Sequence, residues 1–228
     1  VDNRQSLHFN QLFDSIKFFE FNNLHHEHIS YGTLNDSDGN PFKTRDGGTK
    51  PLGELFDETY EYIKNINSDL EDSTIKQLAN SVLTFSDLIT NRKTDYKFDL
   101  EKFTNVNGKT GIYVQYAQVR AKKLQQSIAE QKNEMESIVL SDVDKQLLSQ
   151  LFMFGYYLEQ SSSLNEPHHL ANYLYDISNS FNQFYEHEKL SEIKDINHLS
   201  SKLYLINLFL TTSENVMFCL GMKPVEKM

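Results

Sequence analysis

The chain has 228 residues, of which 39% are hydrophobic, and a formal net charge of -10. This length and apolar content suffice for a buried core, while the negative charge excludes a protein that coats DNA or RNA indiscriminately through clustered cations. No stretch reaches the roughly 18 to 20 apolar residues that span a bilayer, and the single cysteine cannot form an intramolecular disulfide, so we expect a cytoplasmic protein without membrane association.

The first 51 residues predict a helix, a strand and a loop. Apolar residues recur at helical spacing from Arg4 to Phe21, which favours an opening helix. Residues 28–34 alternate and contain β-branched and aromatic types, which indicates a strand. Residues 35–51 are rich in Gly, Pro, Asn and Asp and therefore predict a loop.

From Leu52 onward the pattern is helical. Two amphipathic helices are expected before an irregular stretch at residues 91–111, where we place a boundary between a first part, 1–105, and a second part, 106–228. Beyond it, the apolar stripes predict helices at Tyr113–Glu136 and Val143–Leu158, a third that starts near Asn165, and a fourth from Asn197 to Leu220. We therefore expect a mainly α protein with a helical bundle in its second part.

A glycine-rich loop offers cations beside a flexible backbone. Lys43, Thr44 and Arg45 precede the pair Gly47-Gly48, directly after the predicted strand. Two cations and a hydroxyl suit the phosphates of a nucleotide, and glycines allow a loop to close over them. The alternative is an ordinary solvated loop, because neither a Walker A motif nor a dinucleotide fingerprint is present.

The first helix after the boundary has aromatic and cationic residues on one side. Tyr113, Tyr116 and Arg120 are spaced i, i+3 and i+7, which brings them near one face of a helix. Aromatic and guanidinium planes suit unstacked RNA bases. The alternative interpretation is two core tyrosines with a surface arginine, and the same alternative holds for Tyr173, Tyr175 and Tyr185.

A histidine-rich run, His25-His26-Glu27-His28, is the part of the sequence that most invites a metal interpretation. On a strand, His26 and His28 would share a face, but His25 would point away and no fourth ligand is evident. We therefore predict no metal site.

Motifs in the same order along nearly the whole chain resemble the class I arginyl-tRNA synthetases. The matching segments are Val1-Asp2, Arg4-Gln5-Ser6-Leu7-His8-Phe9, Gln11-Leu12-Phe13, His28-Ile29, Tyr31-Gly32, Gly39, Pro41 to Gly48, Asp87-Leu88, Asn91-Arg92, Thr94-Asp95-Tyr96, Phe98-Asp99, Gly108, Thr110, Tyr113, Gln115-Tyr116-Ala117, Arg120, Pro167-His168, Leu170 to Asp176, Phe181-Asn182, Phe184-Tyr185-Glu186, Leu220-Gly221 and Glu226-Lys227-Met228.

The resemblance implies a fold and a reaction. The fold would be the remnant of a Rossmann-type α/β catalytic domain followed by an α-helical anticodon-binding bundle. The full enzyme would activate arginine with ATP and Mg²⁺ and transfer it to tRNA(Arg), as a monomer without a tightly bound cofactor. By this resemblance residues 1–105 would carry the end of the catalytic domain, and residues 106–228 the anticodon-binding domain.

The resemblance also implies roles for individual residues. Those near the ATP phosphates, in a degenerate KMSKS loop, would be Lys43, Thr44 and Arg45. Those bordering the arginine and adenosine pockets would be Gln5, His8 and Gln11. Those on or near the anticodon-binding helices would be Tyr113, Tyr116, Arg120, Asn172 and Tyr173.

One departure from the family pattern limits what this chain can do by itself. No HIGH-like signature occurs in the sequence, so we expect the first catalytic half to be missing and this chain alone not to form adenylate. Two alternatives stay open: a non-catalytic tRNA-binding or regulatory module derived from the synthetase, and a helical interaction protein without an RNA role.

Overall fold

A computed structural model describes residues 1–21, 24–35, 51–97, 99–128, 137–187 and 189–228. These ranges form nine α-helices and one pair of short parallel strands, so the prediction of a mainly α protein is confirmed. No helix within these ranges is both long enough and apolar enough to cross a membrane.

The amino-terminal residues form the predicted opening helix but little of the predicted strand. Helix α1 covers Ser6–Phe18. Strand β1 is Leu34–Asn35 and pairs in parallel with β2, Tyr96–Lys97, and a separate bridge joins Asp2 to Tyr31. The strand expected over 28–34 is therefore wrong for most of its length. A ladder needs a continuous backbone partner, whereas the backbone bonds of residues 31–33 go to separate segments, Val1 to Asn3 on one side and Arg92 and Tyr96 on the other, and a paired strand forms only at Leu34–Asn35.

The two predicted amphipathic helices are confirmed. They are α2, Leu52–Ile66, and α3, Asp72–Leu88, and they pack against each other. The short helix α4, Leu100–Phe103, follows in the irregular stretch and is capped by the Asp99 carboxylate, which accepts from the Lys102 backbone N–H. Of these helices, α3 packs directly on helices that follow residue 105.

The helical half contains five α-helices in the described residues. They are α5, Gly111–Ile128; α6, Asp142–Leu151; α7, Phe154–Leu164; α8, His168–His187; and α9, Ile196–Cys219. Helix α8 packs on α5, α6, α7 and α9, so it is the central element. Its buried side chains form the middle of the larger apolar core.

The single helix expected from Val143 to Leu158 is in fact two. Helix α6 ends at Leu151 and α7 begins at Phe154. The Tyr173 hydroxyl, from α8, lies 3.1 Å from the carbonyl oxygens of both Gln150 and Leu151. This hydroxyl supplies a hydrogen-bond donor to the backbone carbonyls at the end of α6. No local sequence pattern predicts this contact.

A second, smaller apolar core joins α2 and α3 to α5. It contains Ile63 and Val82 from the first two helices, Ile112 and Val119 from α5, and Val225 near the chain end. This smaller core crosses the boundary expected near residue 105. Helix α5 therefore packs against α3 on one side, while its other side packs against α8. This arrangement leaves a side of α5 and α8 open to solvent.

Candidate nucleic-acid interface

Helices α5 and α8 together hold one arginine between two tyrosine rings. The Arg120 guanidinium carbon lies 4.6 Å from the ring centroid of Tyr116 and 4.4 Å from that of Tyr185. Arg120 also donates to Tyr116 Oη at 2.9 Å and to Asn182 Oδ1 at 3.0 Å, and Glu186 lies 3.8 Å from it. The helical spacing predicted for Tyr116 and Arg120 is present, and α8 completes the group.

This group is held by several contacts and is open to solvent. Tyr116 and Tyr185 are each 40% exposed, so both rings present surface to water. Guanidinium planes over aromatic faces are favourable by about 0.5–1 kcal/mol at exposed sites, and the hydrogen bonds to Tyr116 and Asn182 fix the arginine further. A ligand that stacks here would meet side chains that are already ordered, which lowers the entropy lost on binding.

Beside Arg120 is a cavity of about 340 Å³. Pockets for small organic groups are roughly 300–1,000 Å³ and combine apolar walls with a few fixed polar atoms. This cavity has such a lining, formed by Tyr116, Val119, Arg120, Lys123, Leu124, Ser127, Tyr185 and Met228. The arrangement can accept a planar, polar ring that stacks on tyrosine and accepts hydrogen bonds from arginine.

A second polar and aromatic group lies nearer the start of α5. Lys109 Nζ donates to Asn172 Oδ1 at 2.8 Å and lies 5.2 Å from the centroid of the Tyr175 ring. Tyr113 stacks at a tilt on Tyr175, with centroids 5.3 Å apart, and its hydroxyl donates to Asn179 at 3.2 Å. Tyr113 and Asn172 thus lie at one surface, together with Tyr175 and with Lys109 and Asn179, which the sequence pattern did not single out.

Burial raises the pKa of two acidic groups at this second surface. It raises the pKa of the Asp176 carboxyl, and the nearby Lys109 ammonium opposes that rise. It also raises the pKa of the Tyr175 hydroxyl, with smaller contributions from Tyr113 and Asp176. The Tyr175 hydroxyl therefore keeps its proton to a higher pH than an exposed tyrosine does.

The prediction for Tyr173 needs correction. Its side chain is 2% exposed, its ring stacks on Tyr157 with centroids 4.8 Å apart, and its hydroxyl contacts the Gln150 and Leu151 carbonyls. Burial also raises the pKa of this hydroxyl above its ordinary value. Tyr173 is therefore a core residue and has no free face for a base, as the alternative interpretation held.

Gln5, His8 and Gln11 are exposed at the start of the chain. Gln5 is the residue immediately before α1, and the other two lie in that helix. The His8 ring makes an edge contact with the adjacent Phe9 ring at 5.7 Å and is not packed in the core. The residues expected at the ATP phosphates, Lys43, Thr44 and Arg45, lie outside the described residues.

One group in the described ranges has the composition of a metal site. Potential ligand atoms of Glu166, His168 and His169 all lie within 4.8 Å of one another. However, Lys93 pairs with Glu166 at 3.4 Å, and burial, followed by the charges of His169 and Arg92, lowers the pKa of His168. These cations and the adjacent start of α8 oppose a bound metal ion, so the geometry fits an ion-pair cluster better.

Some residues of the cavity were not identified from the sequence. The sequence pattern leaves Tyr185 open between the core and the RNA surface, and it does not predict Lys123 or Met228 as site residues. Tyr185 does occur in the run Phe184-Tyr185-Glu186, one of the motifs that carry the family resemblance. The packing of α8 on α5, which brings Tyr185 to Arg120, has no local signal.

Comparisons with known proteins agree on the family of this chain. The family model described as the DALR anticodon binding domain matches residues 114–228. The model described as the catalytic domain of class I tRNA synthetases (R) matches residues 1–100. The two matches follow one another along the chain.

Curated relatives and solved structures extend these matches. An arginine–tRNA ligase of Francisella tularensis subsp. novicida is 36% identical over 206 residues, which covers 86% of this chain and 36% of the relative. One of Alcanivorax borkumensis is 35% identical over 240 residues, which covers 100% of this chain and 41% of the relative. The arginyl-tRNA synthetase structures of Thermus thermophilus and Plasmodium falciparum share the fold, each with a TM-score of 0.76. Their identities are 21% and 24%, and the matches cover 88% and 100% of this chain and 35% and 40% of theirs.

The chain thus spans well under half the length of the curated relatives that it matches. The matches nevertheless cover most or all of the chain itself, with a family model over each of its two parts. The chain belongs to the arginyl-tRNA synthetase family and has the anticodon-binding domain of that family in its helical half.

Proposed function

We propose that the surface of α5 and α8 binds the anticodon of tRNA(Arg) for an arginine–tRNA ligase. The complete enzyme would activate arginine with ATP and Mg²⁺ and transfer the arginyl group to the tRNA. Residues 106–228 would supply the anticodon-binding domain, and residues 1–105 the end of the catalytic domain. In this assignment a single chain acts on one tRNA in the cytoplasm, which the single exposed thiol of Cys219 suits.

The observation that carries the proposal is the Arg120 guanidinium held between Tyr116 and Tyr185 beside a cavity. Single-stranded RNA is recognised by bases that leave the stack and lie on aromatic or guanidinium planes. Arg120 has donors beyond those used by Tyr116 and Asn182, since a guanidinium carries five N–H groups. The remaining N–H groups could donate hydrogen bonds to the edge of a base while the tyrosine rings stack on its face.

The net charge of -10 fits such a mode of binding. Non-specific binding relies on many phosphate contacts and weakens steeply with salt. Among the described residues, the cations of the cavity lining and of the second surface are Lys109, Arg120 and Lys123. We therefore expect stacking and hydrogen bonds to provide most of the affinity, and the dependence on salt to be shallow.

We propose the remaining roles from the family resemblance. Lys43, Thr44 and Arg45 would neutralise the ATP phosphates, and Gln5, His8 and Gln11 would border the arginine and adenosine pockets. The exposure of Gln5, His8 and Gln11 supports this, because groups that bind small substrates must be accessible. Of the anticodon residues, Tyr113 and Asn172 would act at the second surface and Tyr116 and Arg120 at the cavity.

The test is binding of this chain to tRNA(Arg) and to a non-cognate tRNA over a series of salt concentrations. We expect the chain to bind tRNA(Arg) more tightly than the non-cognate tRNA. Arg120→Ala should weaken the binding of tRNA(Arg) by about 1–3 kcal/mol. Arg120→Lys should recover only part of this loss, because an ammonium lacks the flat plane that lies between the rings. Lys145→Ala is the matched control, since it removes an exposed cation on α6 that pairs only locally with Asp142.

Equal binding of both tRNAs, or equal losses in Arg120→Ala and Lys145→Ala, would contradict the anticodon assignment. An accompanying assay of arginine-dependent pyrophosphate exchange addresses catalysis. We expect none from this chain alone, because the sequence has no HIGH-like signature. Exchange by this chain would show that it forms adenylate unaided.

A further inference from the structure

The last eight residues, 221–228, form a carboxyl-terminal tail that crosses α3 and α5. Helix α9 ends at Cys219, and Gly221, with φ of 73°, turns the chain back. Asn80 of α3 donates to the Gly221 carbonyl at 3.3 Å. Met222 and Val225 are 2% and 0% exposed, so the tail is packed although it has no helix or strand.

A buried glutamine holds this tail by its backbone. Gln115 of α5 is 0% exposed, and its amide nitrogen donates to the Lys223 carbonyl at 2.7 Å and to Ser81 Oγ at 2.8 Å. Its amide oxygen accepts from the Val225 backbone N–H at 3.0 Å. Both the nitrogen and the oxygen of the amide are therefore hydrogen-bonded, and this one residue joins α3, α5 and the tail.

The end of the tail reaches the cavity beside Arg120. Lys122 of α5 donates to Glu226 at 2.7 Å and lies 3.7 Å from Glu214 of α9, which guides the tail along α5. Met228 then lines the cavity together with Tyr116 and Val119. The position of Met228 in the cavity lining is thus set by contacts that begin at Gln115.

We propose that Gln115 is a positioning residue for tRNA binding: it holds the carboxyl-terminal tail so that Met228 forms one wall of the cavity at Arg120. The inference rests on the proposed function, because it assigns a role in building the same site. Gln115 itself is buried and contacts no RNA.

The physical reason is the cost of ordering an irregular segment. Residues in a tail without regular structure lose backbone freedom when they pack, and local bonds must compensate for that loss. If the Gln115 amide is removed, the Val225 N–H and the Lys223 carbonyl lose a buried partner. Water can satisfy them only if the tail moves away from α5, and Met228 then leaves the cavity.

The main variant is Gln115→Met, which keeps the side-chain volume and removes the hydrogen bonds. We expect binding to tRNA(Arg) to weaken roughly 3- to 30-fold, the range typical of coupled residues. Amide hydrogen exchange at Val225 should accelerate in the free protein, which reports directly on the tail. Gln115→Asn, which keeps the amide but shortens its reach, should give the same direction of change and serves if Gln115→Met fails to fold.

Gln118 provides a matched control on the same helix. It is also 0% exposed, but its amide nitrogen donates to Ser213 of α9 at 2.6 Å and not to the tail. Gln118→Met should change the thermal midpoint without accelerating exchange at Val225 or weakening tRNA binding beyond about twofold. A general loss of packing would instead affect both variants alike.

A double-mutant cycle with Met228→Ala tests whether Gln115 acts on tRNA binding through Met228. If Gln115 acts through Met228, the loss from Gln115→Met should disappear in a chain that already carries Met228→Ala. Full additivity of the two losses, or no loss from Gln115→Met, would overturn the inference. Arg120→Ala separates this from the proposed function: if Arg120→Ala weakens tRNA binding and the Gln115 variants do not, the anticodon site stands and the positioning role fails.

Discussion

Lys202 of α9 forms a buried ion pair with Asp144 of α6. Its Nζ lies 2.8 Å from Asp144 Oδ1 and 2.9 Å from Oδ2, and the two side chains are 1% and 0% exposed. The ammonium also lies 5.1 Å from the centroid of the Phe184 ring of α8. The same carboxylate accepts from the Ser141 backbone N–H in the capping box that begins α6. Three helices of the bundle therefore meet at one pair of charges.

We expect Asp144→Ala to lower the free energy of unfolding by about 3–5 kcal/mol, because it leaves the Lys202 ammonium buried without its counter-charge. Denaturant unfolding measures this change. The paired control, Asp144→Leu with Lys202→Met, removes both charges and should be far less destabilising than Asp144→Ala. A double variant as unstable as the single one would show that the pair itself stabilises the fold.

Tyr173→Phe tests the placement of this residue in the core. The substitution removes the hydroxyl contact with the Gln150 and Leu151 carbonyls and keeps the ring stack with Tyr157. We expect a loss of about 0.5–1.5 kcal/mol in the free energy of unfolding and no change in tRNA affinity. A loss of affinity at unchanged stability would restore Tyr173 to the RNA surface.

The sequence predicted the helices well because their apolar residues recur at one period. Helices α2 and α3, and the last helix near Asn197, follow directly from such stripes. The predicted strand at 28–34 forms only in part, because its partners elsewhere in the chain pair with it only at Tyr31 and Leu34 and make no continuous ladder. The break between α6 and α7 was missed because it lies where the distant Tyr173 bonds the end of α6.

The site was predicted in part for a similar reason. Tyr116 and Arg120 lie one helical turn apart, so local spacing was sufficient to group them. Tyr185 approaches Arg120 only through the packing of α8 on α5, and Met228 reaches the cavity because the tail packs along α5 through Gln115 and Lys122. Contacts set by tertiary packing have no period in the sequence.

Gly111→Ala should test how closely α5 packs on α3. A methyl group at Gly111 would lie 2.6 Å from the carbonyl carbon of Ser81, and backbone atoms cannot move aside as a flexible side chain can. We expect the variant to lose about 1–3 kcal/mol of stability, measured by denaturant unfolding. Gly53→Ala is the control, because a methyl group there has no neighbour within 4 Å. Equal stability of both variants would contradict the tight contact.

The stability of the fold should depend on pH through His168. Burial, followed by the charges of His169 and Arg92, lowers the pKa of His168 below its ordinary value of 6.5, and Glu166 opposes this shift. The unfolded chain therefore binds a proton more readily, so this contribution to stability is complete above pH 6.5 and is lost as the pH falls through 6.5 towards the lower folded pKa.

His168→Gln should consequently reduce the fall of the thermal midpoint between about pH 7.5 and pH 5.5. His187→Gln is the control, since His187 is exposed at the end of α8. The prediction fails if both variants show the same pH dependence as the unmodified chain.

Tyr185 should matter to RNA binding through its ring and not its hydroxyl. The ring stacks on the Arg120 guanidinium at 4.4 Å and is one of the cavity walls. Tyr185→Phe keeps that plane, so tRNA(Arg) affinity should stay close to that of the unmodified chain. Tyr185→Ala removes it and frees one side of Arg120, and we expect a loss of about 1–3 kcal/mol, the usual value for one stacked base.

Tyr156→Ala is the control for Tyr185→Ala, because Tyr156 is an exposed tyrosine on α7, 52% accessible, outside the cavity lining. It should leave tRNA affinity unchanged. Equal losses for Tyr185→Phe and Tyr185→Ala would assign the effect to the hydroxyl, and equal losses for Tyr156→Ala and Tyr185→Ala would remove the reason to place a base at Arg120. A loss confined to Tyr185→Ala would make the α8 ring as necessary to the site as the α5 residues that the sequence pattern identified.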